Sequence, residues 1–309
     1  MAVRRRRDIW DVVVIGGGLA GLTAANQASR RGLSVALFEG EAACGGQVAT
    51  VNIIEDWPEI ESTSGVQLAA AMVERIRFEG VEIFNEEVTE VKDYSGVLMI
   101  GAGRRALRAR RVIAASGARL KVLGVPGEEA LKGKGVSQCA HCDGGFFRDQ
   151  DVAVIGGGDA ALQEALVLAE LCRSVSIVSR SRLRARFGYV DRAISKTNIS
   201  FVWNSTVEEI AGVSGVTALR LRNVENGSVQ EIACTGVFPF IGVEPNTAYL
   251  SGSINRDASG RVIVDSECRS SNPSLFAVGA VRAGFAGDLV NATGDAALAA
   301  SAVANDLRL

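Results

Sequence analysis

The sequence predicts an α/β protein made of two Rossmann-like, three-layer units, the second inserted into the first. Three observations carry this. An apolar, β-branched strand running into a glycine turn and then an alanine-rich helix occurs twice, from Val12 and from Val152. The first glycine of each turn lies 23 residues before the end of the next strand, Gly16 to Glu39 and Gly156 to Ser179. Beyond the second copy, Leu275 to Gly279 is one more strand entering a glycine turn, followed by an alanine-rich helix from Asp288 to Asp306. Strands of the first unit on both sides of the second copy are what an insertion requires.

Size and charge narrow the field. At 309 residues the chain has room for about two domains. Hydrophobic residues make up 48% and glycines number 35, enough for large cores joined by many tight turns. A net charge of −2 supplies no field for nucleic acid or a membrane surface. The run Arg4 to Arg7 reads as a solvated terminus. No stretch approaches the ~18 apolar residues of a spanning helix, and the start lacks the pattern of a signal peptide. A cytoplasmic protein is expected.

In chain order, Val12 to Ile15 reads as a strand buried on both faces. Gly16-Gly17-Gly18-Leu19-Ala20-Gly21 is a G-x-G-x-x-G, whose glycines let backbone N–H groups approach a pyrophosphate at a helix N-terminus. The helix from Leu19 to Arg31 stops at Gly32. Val35 to Phe38 is the second strand, and Glu39 at its end suits a ribose hydroxyl. Cys44-Gly45-Gly46-Gln47 and Glu55-Asp56-Trp57-Pro58 read locally as loops. Val66 to Phe78 has helical spacing. Val81 to Ala118 alternates as strands and hairpins, among them Val97 to Ile100 and Val112 to Ala114.

The second copy repeats the plan as Gly156-Gly157-Gly158-Asp159-Ala160-Ala161, with a helix to Leu171 and a strand from Val175 to Val178. Here the strand ends on Ser179-Arg180, with Arg182, Arg184 and Arg186 behind. A carboxylate favours a free 2′-hydroxyl and arginines a 2′-phosphate, so the first site reads as FAD or NAD and the second as NADPH. A solvated basic loop is the plainer alternative.

Just before the second copy lies Cys139-Ala140-His141-Cys142-Asp143. Two thiols at this spacing near a βαβ pattern read as a redox pair. Half of a zinc site is the rival, but it needs two more ligands at matching spacing, and His141 is the sole histidine. Cys44, Cys172, Cys234 and Cys268 are scattered and read as buried free thiols.

Taken together, the opening glycine motif, Gly45-Gly46-Gln47, Asp56-Trp57-Pro58, Cys139 to Phe147, Ile241 to Asn246 and Phe276 to Gly279 resemble the low-molecular-weight thioredoxin reductases. They also resemble the reductase part of the alkyl hydroperoxide reductase flavoprotein, which His141 favours. The resemblance spans essentially the whole chain. It implies an FAD-binding domain of residues 1–120 and 244–309, and an NADPH-binding domain of residues 121–243 that carries the cysteines. Flavin contacts would fall to Gly16, Gly18, Gly21, Glu39, Gly46, Gln47, Asp56, Val88, Ala115, Gly279, Ala280 and Asp288. Nucleotide contacts would fall to Gly156, Gly158, Asp159, Ala161, Ser179, Arg180 and Arg184.

The implied chemistry runs from NADPH through FAD to the Cys139–Cys142 disulfide and on to a thioredoxin-like protein or a small disulfide. Cys142 would be the flavin-proximal thiol, Asp143 the acid/base, and His141 a residue that tunes the thiols. The resemblance also implies a homodimer, with hinges near 117–127 and 242–245. Three positions depart from the family: Ala280 replaces its aspartate, Gly287-Asp288 its basic residue and glutamine, and Ser179-Arg180-Ser181 its His-Arg-Arg. These departures motivate an alternative, an oxygen-linked flavin dithiol oxidase or a disulfide reductase fed by a donor other than NADPH, such as ferredoxin or a deazaflavin. A non-catalytic flavin-binding module is a third class.

Overall fold

The structure is a computed structural model that describes residues 8–51, 54, 57 and 63–308. Two compact units emerge, Met1–Arg119 with Glu244–Leu309, and Leu120–Val243. In the first, β1 (Trp10–Ile15), α1 (Leu19–Ser29) and β2 (Val35–Phe38) form a βαβ crossover, with Val12 opposite Val35 and Ile15 opposite Phe38. These strands are apolar throughout because both faces are covered; Val12, Val13 and Val14 expose nothing. Asp11 fastens the start of the pair, its Oδ2 accepting the N–H (2.9 Å) and Oγ–H (2.7 Å) of Ser34.

The helix α2 (Gly65–Phe78) opens on a capping box in which Ser64 and Gln67 satisfy each other's backbone N–H. Beyond it, β3 (Glu82–Phe84) extends the sheet beside β2. A meander follows: β4 (Val88–Tyr94), β5 (Val97–Ala102) and β6 (Arg105–Ala114). Ten residues let β6 serve more than one partner. Arg105 to Ala109 pairs antiparallel with β5, and Ala109 with Arg111 to Ala114 pairs parallel with β1. A short strand, β7 (Ala118–Leu120), leaves the unit.

In the second unit a single helical turn, α3 (Ala140–Asp143), precedes β8 (Asp151–Ile155), α4 (Asp159–Ala169) and β9 (Ser174–Val178). Helix α5 (Phe187–Ser195) leads to β10 (Ile199–Val202), and β11 (Ser205–Gly212), β12 (Val216–Asn223) and β13 (Val229–Ala233) form an antiparallel sheet. With β14 (Gly236–Pro239), the parallel sheet has the order β10-β9-β8-β14. Asp151 repeats the fastening seen at Asp11: its Oδ1 accepts the Oγ–H of Ser174 at 2.6 Å, and Arg173 pairs with the same carboxylate.

The chain returns along β15 (Val243–Pro245), which pairs with β7, so the two crossings run as one ribbon. The strand β16 (Leu275–Ala277) then lies parallel to the second half of β6, Leu275 opposite Val112. Last comes α6 (Leu289–Leu307), which covers α1. Their facing sides are almost all small: Ala24, Ala25 and Ala28 of α1, and Ala296, Ala299 and Ala300 of α6, expose nothing. The sequence carries the first helix to Arg31 and the second motif's helix to Leu171. Each ends two residues earlier, the first turning through Arg30, Arg31 and Gly32 at φ +84°. No helix among the described residues is long and apolar enough to cross a membrane.

Candidate active site

Cys139 and Cys142 form a disulfide across one turn, their Cα atoms 5.3 Å apart. Cys139 is itself the N-cap of α3: its Sγ accepts the Cys142 N–H at 3.1 Å and its carbonyl the Asp143 N–H at 3.1 Å. Cys142 and His141 are exposed and Cys139 is half-buried. Ser137 Oγ accepts the Cys139 N–H at 3.1 Å and donates to Asp143 Oδ2 at 2.5 Å. The Ser137 N–H in turn donates to the Val237 carbonyl of β14 at 3.0 Å. The acid after the second cysteine is therefore tied to the segment before the first. An exposed disulfide with a fixed carboxylate beside it can accept two electrons and, once reduced to a dithiol, exchange with another disulfide while the carboxylate handles a proton.

At the first glycine turn, Gly16 takes φ +106°, and a Cβ there would fall 2.4 Å from the Ala115 carbonyl oxygen. At Gly21 a Cβ would fall 1.8 Å from the Gly16 carbonyl oxygen, so nothing larger fits. Gly18 differs. Its φ of −68° suits any residue, and nothing lies within 4 Å of where its Cβ would be. Neither backbone strain nor packing explains a glycine at that position; an open cradle for a ligand does. Helix α1 starts there without a side-chain cap, in contrast to the Ser64 cap of α2, which leaves its first N–H groups for an anion.

Glu39 is buried at the edge of this cradle, its Oε2 accepting the Gly17 N–H (2.7 Å) and its Oε1 the Glu41 N–H (2.9 Å). Gly45 joins the same turn through its N–H on the Gly17 carbonyl (2.8 Å), and Gly46 stands at φ +52° with Cβ space only 3.2 Å from Gly18 Cα. Gln47 Nε2 donates to the Ala118 carbonyl. Cys44 Sγ packs against Gly17; burial, then the Glu39 charge, push its thiol pKa up.

The second turn repeats the geometry. Gly156 takes φ +143° with Cβ space 2.2 Å from the Phe240 carbonyl oxygen, and Gly158 faces open space at φ −97°. Helix α4 also lacks a side-chain cap. Ser179 is buried, its Oγ donating to the Ser181 carbonyl at 2.7 Å. The Asp159 carboxylate accepts the N–H and Nε–H of Arg186, both at 2.7 Å, and the Arg184 N–H donates to the Gly157 carbonyl at 2.7 Å. That pins the loop after β9 across the turn. The side chains of Arg180, Arg182 and Arg184 are exposed, and none meets an acid among the described residues.

The remaining expected positions are spread over the first unit. Ala115 follows β6, and Val88 is a core residue of β4. Gly279 turns at φ +67° with Cβ space 3.1 Å from Ala20 of α1, and Ala280 follows it. Asp288 caps α6, accepting the Asn291 N–H at 2.7 Å. Asp56 lies outside the described residues. Two residues escape the sequence reading. Asp295 of α6 is buried, accepts the Gly279 N–H at 3.2 Å, and takes a bidentate pair from Arg282 at 2.6 and 2.7 Å. Glu164 of α4 accepts the Ala140 N–H at 2.7 Å, within the redox turn. An acid interrupting an otherwise apolar helix stripe is the signal that marks both.

A family model of pyridine nucleotide-disulphide oxidoreductases matches residues 10–304. The thioredoxin reductase of Treponema pallidum is 39% identical over 298 residues, 96% of each chain. That of Bacillus subtilis is 36% identical over 297 residues, 96% of this chain and 94% of its own. Among solved structures, the thioredoxin reductase of Lactococcus lactis superposes with a TM-score of 0.91 at 37% identity, covering 96% of this chain and all of its own. That of T. acidophilum gives 0.89 at 32% identity, covering 97% and 99%.

Proposed function

The chain belongs to the pyridine nucleotide-disulphide oxidoreductases and among them to the thioredoxin reductases, and on that premise we propose that it reduces a thioredoxin-like protein at the expense of NADPH. The observation that carries this reading is the exposed Cys139–Cys142 disulfide in a chain with two open glycine cradles of unlike charge. NADPH and FAD together supply a hydride and its relay as an electron pair to the disulfide. Everything else falls to residues of the chain.

In the first unit, the N–H groups at the start of α1 receive the FAD pyrophosphate, and Glu39 accepts from the adenosine ribose. Gly46, Gln47, Gly279 and Ala280 line the same cofactor. In the second unit, the start of α4 receives the NADPH pyrophosphate, and Arg180 and Arg184 its 2′-phosphate. Two electrons open the Cys139–Cys142 bond, and Asp143 manages the proton that goes with them. One thiolate of the pair then attacks the partner's disulfide, forming a mixed disulfide. The other thiol resolves it, leaving the partner as a dithiol and the Cys139–Cys142 bond re-formed. Cys142 is assigned to the flavin side, and His141 to tuning the pair. The reading includes a cytoplasmic homodimer, on the likeness to bacterial thioredoxin reductases.

An anaerobic absorbance titration tests it. The flavin band should bleach at near-stoichiometric NADPH and respond far more weakly to NADH. A flavin that NADPH leaves oxidised while a dithiol or another donor reduces it would sink the reading in favour of a dithiol oxidase or a differently fed reductase. Cys142→Ser should lower turnover with a thioredoxin-like substrate by several orders of magnitude; unchanged turnover would point to a non-catalytic role.

A further inference from the structure

Ala140, the first residue of the redox turn, is fully buried and gives its N–H to a side chain 24 residues away, Glu164 Oε2, at 2.7 Å. Glu164 sits on the stripe of α4 that carries Ala161, Ala165 and Leu168, none of which exposes any surface. Glu164 itself is half-buried, and even partial desolvation of a carboxylate on such a stripe is unfavourable without a hydrogen-bond partner. Among the described residues the Ala140 amide is its one hydrogen-bond partner. Burial pushes the Glu164 pKa up, while the Ala140 N–H and the His141 charge favour the carboxylate. Asp143, the other acid of the turn, is engaged by Ser137.

We propose that Glu164 is a positioning residue for the dithiol: it holds the redox turn on α4 through the Ala140 amide and sets a fixed carboxylate beside the thiols. The proposal deepens the reading of Cys139 and Cys142 as the redox pair. Because the tie runs to backbone and not to sulfur, the turn keeps its seat whether the cysteines are joined or reduced. A neighbouring carboxylate disfavours a thiolate, so Glu164 keeps the reduced pair more protonated than the turn alone would. The helix that opens on the second glycine cradle is thereby the one that carries the redox turn.

The test uses the full-length protein, reduced with dithiothreitol and freed of it, with iodoacetamide alkylation of Cys139 and Cys142 followed by mass spectrometry from pH 5 to 10. Glu164→Gln keeps an acceptor for the Ala140 N–H and removes the charge; Glu164→Ala removes both. In Glu164→Gln the apparent thiol pKa should fall by about half a unit to one unit, raising alkylation at pH 7 about three- to tenfold. Glu164→Ala should show the same rise and, in addition, faster hydrogen exchange at the Ala140 amide. A Glu164→Gln profile that overlies the wild type overturns the proposal, whether or not melting temperature falls. This readout needs neither nucleotide nor flavin turnover. A wild-type flavin untouched by NADPH would sink the functional reading and leave the alkylation comparison standing.

Discussion

The two glycine turns share a backbone plan and part company at their edges. Both first glycines take positive φ, at +106° and +143°, and at both a carbonyl from a neighbouring strand end occupies the space of a Cβ. Both third glycines face open space, and both helices start uncapped. The sixth position then diverges. Gly21 lies so near the Gly16 carbonyl that no side chain fits, whereas Ala161 places its methyl against Gly156. The strand ends diverge as well: a buried carboxylate bonded to its own turn in one, and in the other a buried serine followed by three arginines that meet no acid among the described residues. The backbone features a pyrophosphate-binding turn needs are kept, and the differences fall at the rim, where the proposed reading places discrimination between dinucleotides.

The sixth position offers the sharpest way to break this comparison. Gly21→Val drives a side chain into backbone and should cost at least about 4 kcal/mol, with loss of bound flavin. Ala161→Gly should cost only about 1 kcal/mol. Thermal melts and flavin absorbance of the two variants check it, and equal effects would mean that the sixth position does not separate the two turns. Next in size, Arg180→Ala with Arg184→Ala should weaken NADPH binding by about a hundredfold while leaving NADH unchanged. An equal loss for both nucleotides would assign the arginines to the pyrophosphate instead. Glu39→Gln should weaken FAD by about tenfold, read as flavin released on dialysis, and should leave nucleotide preference alone.

The smallest effect concerns the fastenings at the strand starts. Arg173, then Ser174, hold the Asp151 carboxylate at about 2, below its ordinary value of 3.8. A depressed acid contributes stability that is present above pH ~4 and fades as pH falls toward 2. Arg173→Ala should remove part of that contribution. The pair is solvated, so the difference is small and appears only when melting temperatures at pH 5 and pH 2.5 are compared. A variant that melts like the wild type at both would place the fastening in Ser174 alone, as at Ser34.

Local signals explain what the sequence reveals. Val12 to Ile15 and Val152 to Ile155 are strands buried on both faces, and glycines at fixed offsets mark the turns, so the fold could be read from pattern alone. Cys139 and Cys142 announce their chemistry by spacing, and the structure joins them. Long-range partners are harder. Asp11 with Ser34 and Asp151 with Ser174 are each 23 residues apart, a second copy of the repeat, yet an acid and a serine look ordinary until their strands pair. The alternation read over Val81 to Ala118 becomes the meander β4 to β6, with the arginines of the first half of β6 exposed. Ala280 and Asp288 look like losses in one dimension. In three dimensions Asp288 caps its own helix, and the buried acid near Gly279 is Asp295, neutralised by Arg282. Conversely, Arg180 and Arg184 were visible as a cluster, but that no acid among the described residues meets them could be seen only once the chain was folded.

The position of β16 in the chain has a consequence for biosynthesis. The second unit is a continuous segment and can close as soon as Val243 has been made. The first unit cannot: the strand that completes its parallel sheet beside β6, and the helix that covers α1, are made only after the inserted unit, from Leu275 onward. Until they are made, the second half of β6 presents a bare hydrogen-bonding edge and α1 an alanine-lined face to whatever is nearby. The unit assigned to the flavin is thus begun before the inserted one and closed after it, and its exposure to misassembly lasts at least for the time taken to synthesise the other.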